Sequence, residues 1–193
     1  MFIWSSPFRG LVSILFAVLV FGGTAWSAGF TPKVYFVYGG KRPYSFYYDR
    51  VEERLKTQFG AELVSLDMQT SEDLIEVFNR ADTLMVVYDG HGNAGGQITN
   101  INMELTDVPE LPWQHSGLAP FLVLGSCLGH LAGLDQKHPD GISYQCWARK
   151  IKRPTLFYYL LYNDVLWQRL DHIDQSRRDA VVLSAASCQA VWL

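Results

Sequence analysis

Thr83-Leu-Met-Val-Val-Tyr-Asp-Gly-His-Gly92 decides the architecture, because an unbroken apolar, β-rich run passes straight into a glycine-punctuated turn. A short continuous apolar run bounded by glycine is the pattern of a strand buried on both faces. Two similar units precede it. Val34-Tyr-Phe-Val-Tyr38 is a β-branched and aromatic run closed by Gly39-Gly40, and Leu63-Val-Ser-Leu66 is a shorter one. Between them Tyr48, Val51, Leu55 and Phe59 recur three or four apart with Gly60 as a stop, which predicts an amphipathic helix. Thr70 with Asp73 three residues later reads as a capping box, and Leu74, Val77, Phe78 and Ala81 continue it as a second helix. Three strands alternating with two helices predict a βαβαβ unit with a parallel sheet, whose functional groups gather at the strands' carboxyl ends.

Downstream, Gln97 to Gly117 has poor periodicity and is interrupted by Pro109 and Pro112, so a short hairpin and loop are expected. Phe121-Leu-Val-Leu124 reads as a fourth strand that runs into Gly125-Ser-Cys-Leu-Gly-His130. The pattern then predicts a helix from about Ile142 to Ile151, a fifth strand at Leu156–Leu160 and a helix over Val165–Ile173. A sixth strand is expected at Ala180–Leu183. The fold class that follows is α/β, a three-layer sandwich with a mostly parallel sheet of about six strands flanked by helices.

The amino-terminal stretch has a different logic. Met1–Phe8 contains no acid, Arg9 adds a positive charge, and Leu11–Phe21 is almost entirely apolar before Gly22-Gly23. That layout predicts a signal peptide over residues 1–27, with small residues at Ala25 and Ser27 for cleavage. The apolar core is shorter than the ~20 residues of a bilayer span, so no stable membrane insertion is expected after cleavage. Residues 28–193 then form a single α/β domain, exported to a periplasm or secreted. The net charge is -3, and the densest basic stretch, Arg149-Lys-Ile-Lys-Arg153, is short enough to be a solvated face. Neither feature argues for a nucleic-acid partner. The chain's 3 cysteines are Cys127, Cys146 and Cys188, an odd count in an oxidising compartment. Either Cys146 pairs with Cys188 and leaves Cys127 as the free thiol, or all are reduced and Cys146 is a small buried apolar residue.

Two glycine-rich turns carry the chemistry: one presents His91 and then Gly92, the other presents Cys127. A thiol acts as a nucleophile as its thiolate, so such a site needs an imidazole to manage protons and small residues to admit a carbonyl. Exposed backbone N–H groups in the same turns can hydrogen-bond a developing oxyanion. In order and spacing, from Lys33 to about Leu160, the chain resembles the caspase-like (clan CD) cysteine peptidases. Their shared pattern is an apolar strand ending in His-Gly, then an apolar strand ending in a small residue and Cys. Here the motifs are Leu84-Met-Val-Val-Tyr-Asp-Gly-His91-Gly92 and Phe121-Leu-Val-Leu-Gly-Ser126-Cys127, with Ser126 in place of the family's usual alanine. The resemblance implies a caspase-like fold, His91 as the proton-handling imidazole and Cys127 as nucleophile, with Gly92 and Cys127 N–H groups as the oxyanion site. It implies hydrolysis of a peptide or protein substrate without a cofactor. Asp89, Asp135 and Asp140 lie near enough in sequence to be considered for the substrate pocket.

Other readings compete. Gly125-Ser-Cys-Leu-Gly129 also fits the G-x-nucleophile-x-G elbow of α/β-hydrolases such as the dienelactone-hydrolase-like enzymes, with His138 or His172 as base. That fold opens with a largely antiparallel meander, whereas this chain opens with two βα units. A noncatalytic caspase-like binding or regulatory module is a third reading, since fold does not establish activity. Cys127, His130 and His138 match no familiar zinc spacing, so no metal is expected. His115 and His172 read as surface or satisfied histidines.

Overall fold

A computed structural model describes residues 31–42, 45–134 and 143–190, with side chains in the last helix described as far as Ala180. The expected signal peptide and its cleavage point lie outside the described residues, as do Asp135, His138, Asp140 and the Cys188 side chain, and with that side chain the Cys146–Cys188 pairing.

The strands are β1 (Lys33–Gly39), β2 (Glu62–Asp67), β3 (Thr83–Gly90), β4 (Gln97–Thr99), β5 (Leu105–Asp107), β6 (Phe121–Gly125) and β7 (Tyr144–Gln145). The helices are α1 (Ser45–Phe59), α2 (Glu72–Phe78), α3 (Arg153–Tyr162) and α4 (Asp164–Ala190), with a 3-10 turn at Gly129–Ala132. Five strands form the main sheet in the order β2-β1-β3-β6-β7, every neighbouring pair parallel. β4 and β5 form a separate antiparallel hairpin where a hairpin was expected.

Alternation along the strands divides the core into two layers. Val34, Phe36, Tyr38, Val87 and Val123 face α1, α3 and α4, packing against Val51, Leu55, Phe157, Leu160, Trp167 and Leu170. Tyr35, Val37, Val86, Tyr88, Leu122 and Leu124 face the other way, onto Leu74, Val77 and Phe78 of α2, Ile98 of β4 and Leu111. Helices therefore lie on both sides of a mostly parallel sheet, the three-layer α/β arrangement. The path from β1 out to β2 and back across to β3 reverses direction, so crossovers of one hand place α1 and α2 on opposite faces. β1 and β3 are buried almost throughout, which accounts for their continuous apolar character.

The carboxyl-terminal third departs from the sequence pattern. Leu156–Leu160, expected as a strand, lies inside α3. Its buried residues are Leu156, Phe157, Leu160 and Leu161, a helical spacing, while Tyr158 and Tyr162 point outward. Pro154 sits in the first turn of that helix, where its missing N–H costs no bond. Ala180–Leu183, expected as a sixth strand, continues α4. The helix expected over Ile142–Ile151 is replaced by β7, which adds to β6 through Leu122–Tyr144 and Val123–Gln145, and by a connector leading to α3. The sheet thus has five strands among the described residues, and its last one comes from a segment read as helix.

Candidate active site

The β1 and β3 carboxyl ends meet at a buried knot of hydrogen bonds. Register pairs Tyr38 with Asp89 and Gly39 with Gly90. Tyr88 is fully buried, and its hydroxyl donates to the Thr99 carbonyl (2.8 Å) and accepts from the Thr99 N–H (3.0 Å). Burial pushes the Tyr88 phenol up to about 12, so it remains a donor through ordinary pH. Thr99 Oγ1 donates to the Gly39 carbonyl (2.6 Å) and accepts from the His91 N–H (3.2 Å). The Thr99 N–H also reaches the His91 carbonyl at 3.2 Å. A Cβ at Gly39 or Gly90 would collide with the Tyr88 hydroxyl, so glycine lets this knot close. The His91 backbone is held on both sides, and the imidazole is left exposed.

Gly92 forms an antiparallel bridge with Ile98. The flanking bonds run from Thr99 N–H to the His91 carbonyl and from Asn93 N–H to the Gln97 carbonyl (3.1 Å). The Gly92 N–H is therefore not spent on the bridge and is directed away from β4.

β6 brings the second turn alongside. Asp89 pairs with Gly125 across the parallel ladder, so His91 and Cys127 each follow a paired residue by two positions. Cys127 is half-buried, its Sγ is 3.8 Å from the Ile151 carbonyl, and Leu128 after it adopts a left-handed conformation (φ 58°). That bend leads into the 3-10 turn and turns the chain away from Cys127. Contact between the two turns is direct. A Cβ at position 92 would run into the Cys127 carbonyl oxygen and stand 3.0 Å from Ser126 Cβ. Only glycine fits there. Ser126 is wholly buried, and its hydroxyl has no hydrogen-bond partner among the described residues.

Beside the turns lies an ion pair that the sequence did not disclose. Asp89 is 4% exposed, and Arg153 at the start of α3 donates Nε–H to its Oδ1 (3.0 Å), with Oδ2 at 2.8 Å. Burial raises the Asp89 pKa; the neighbouring Arg153 and, less strongly, His91 oppose the rise. Arg153 ends the basic stretch read as a solvated face. Arg149, Lys150 and Lys152 are exposed as expected, whereas Arg153 turns inward.

The remaining histidines are scattered. His115 is exposed, with Nε2 2.6 Å from the Asn79 carbonyl, and His130 and His172 are exposed. Among the described residues no group of three His, Cys, Asp or Glu side chains is placed to hold a metal ion, and no helix is long and apolar enough to cross a membrane. Tyr88 and Thr99 were missed as site residues. Tyr88 reads as one more core aromatic, and Thr99 sits in a stretch without periodicity. No known protein family, curated protein or solved structure matches the chain.

Proposed function

We propose that the chain is an exported caspase-like cysteine peptidase that hydrolyses peptide bonds through His91 and Cys127. The observation that carries this reading is the direct apposition of the Gly92 backbone to the Cys127 carbonyl, at the carboxyl ends of two adjacent parallel strands. The Cys127 thiolate adds to the substrate carbonyl, and the oxyanion is met by the Gly92 and Cys127 N–H groups. The C–N bond then breaks as His91 gives its proton to the departing amine nitrogen. Water adds to the resulting thioester, releasing the carboxylic acid and regenerating the thiol. Ser126 suits this use, since it is a small, wholly buried residue where the resemblance expects alanine. The amino-terminal sequence supports export.

One observation favours a noncatalytic binding module instead: the connector after β7 brings the Ile151 carbonyl to the Cys127 sulfur, half-covering it. Incubating the protein with random-sequence decapeptides and reading products by mass spectrometry separates the two. The peptidase reading expects cleavage that disappears in Cys127→Ala and falls by about 100-fold or more in His91→Ala. Intact peptides throughout, or cleavage that persists in Cys127→Ala, would leave the noncatalytic module standing.

A further inference from the structure

The crevice between the ends of β1 and β3 is where the sheet order changes direction, and open α/β sheets bind ligands at such points. From Gly39 the chain leaves toward α1 on one face. From Gly90 it leaves toward the β4–β5 hairpin, which packs on the other face. Gly40 is the buried floor of this crevice. A point one Cβ above it lies 3.7 Å from Met103 Sδ and 4.0 Å from His91 Cδ2.

Met103 is an unusual residue for that place. It is 53% exposed, and its backbone is left-handed (φ 67°), a conformation that an unbranched side chain adopts only at a cost. The turn that imposes this is over-determined. Asn100 Oδ1 accepts from the N–H groups of Asn102 (3.0 Å) and Glu104 (2.9 Å), and Asn100 Nδ2 donates to the Gln69 carbonyl (3.0 Å). The Met103 N–H donates to the Asn100 carbonyl (3.0 Å), and the Ile101 N–H to the Met68 carbonyl (2.7 Å). The hairpin tip is thereby fixed to the end of β2, with an apolar, adaptable side chain beside the imidazole instead of the glycine or asparagine such a turn favours.

Resting on the peptidase reading, we propose that Met103 and His91, packed over the buried Gly40, form an apolar subsite for the residue immediately after the scissile bond. The direction follows from the sheet. In the order β1-β3-β6, Cys127 lies on one side of His91, and Gly40 with Met103 on the other. The acyl half of the substrate becomes bonded to Cys127, while the leaving amine takes its proton from His91. The residue carrying that amine is thus placed on the His91 side, against the Met103 thioether. Gly40 lies buried beneath both side chains, and a leucine-sized or aromatic side chain can exchange water for the exposed Met103 thioether above it.

Cleavage-site profiling of the random decapeptides tests this in wild type, Met103→Gly and Met103→Asn. Both substitutions suit a left-handed backbone, so the fold is retained and thermal unfolding serves as the check. In wild type, Leu, Met, Phe and Ile should follow the cut bond about tenfold more often than Asp, Lys or Gly. In both variants that enrichment should collapse, while the preference before the cut bond is unchanged. Cys127-dependent cleavage with no apolar enrichment, or with enrichment that survives in the variants, overturns the subsite and leaves the dyad intact. Absence of any Cys127-dependent cleavage overturns both.

Discussion

At the scale of single residues, the informative group is Asp89. It sits two positions before His91, is buried at the meeting of β1, β3 and β6, and faces the Arg153 guanidinium. Burial outweighs that partner and His91, leaving its pKa raised. A raised carboxyl in the folded state holds its proton more tightly than in the unfolded chain, where it titrates near 3.9. Its contribution to stability is therefore fully present below that value and is lost as pH rises through the higher folded pKa. Asp89→Asn removes the titration. Urea unfolding from pH 3.5 to 7 should show wild type losing stability relative to Asp89→Asn as pH rises. A constant difference would mean that Arg153 fully offsets burial, and wild type gaining would mean that Arg153 dominates. Cys127 and His91 were legible as residues because each follows an apolar run and sits among glycines. Arg153 was not, because nothing in a run of basic residues distinguishes the one that turns inward.

At the scale of elements, the β4–β5 hairpin is what makes the His91 turn rigid. Thr99 of β4 ties the end of β1 to the residue after β3 through one hydroxyl and one amide. Thr99→Val keeps the shape and removes the hydroxyl, leaving the Gly39 carbonyl without that donor. It should lower unfolding free energy by about 1–3 kcal/mol. If Thr99 is a positioning residue for His91, kcat should fall with little change in KM, and Thr99→Ser should restore it. Unchanged kcat in Thr99→Val would confine Thr99 to a structural role. The β1, β3 and β6 runs were readable because buried parallel strands are short and continuously apolar. Leu156–Leu160 has the same look, and over five residues a helix with one buried face cannot be told from a strand by periodicity. Pro154 ahead of it was the available sign, since proline suits the first turn of a helix. β7 was hidden for a different reason: it has two residues and takes its place by pairing with β6, which local pattern does not encode.

At the scale of the whole molecule, the parallel sheet gives two distant pieces of sequence a common edge. The β2-β1-β3-β6-β7 order puts Gly40, His91 and Cys127 at the ends of three consecutive strands. Met103 comes from a hairpin pinned to a fourth. The α/β class and that shared edge followed from the alternation of strands and helices, whereas the Met103 crevice depends on how the hairpin folds back. The α/β-hydrolase alternative opens with an antiparallel meander, and the described main sheet contains only parallel pairs. The peptidase reading requires above all that His91 and Cys127 act together. Purified protein labelled with an iodoacetamide probe across pH 5 to 9, with the modified thiol mapped in wild type and His91→Ala, addresses that without knowledge of a substrate. If the two act together, Cys127 labels faster in the folded protein than in a denatured control at neutral pH and loses that advantage in His91→Ala. Labelling no faster than the denatured control, or equally fast without His91, would contradict it.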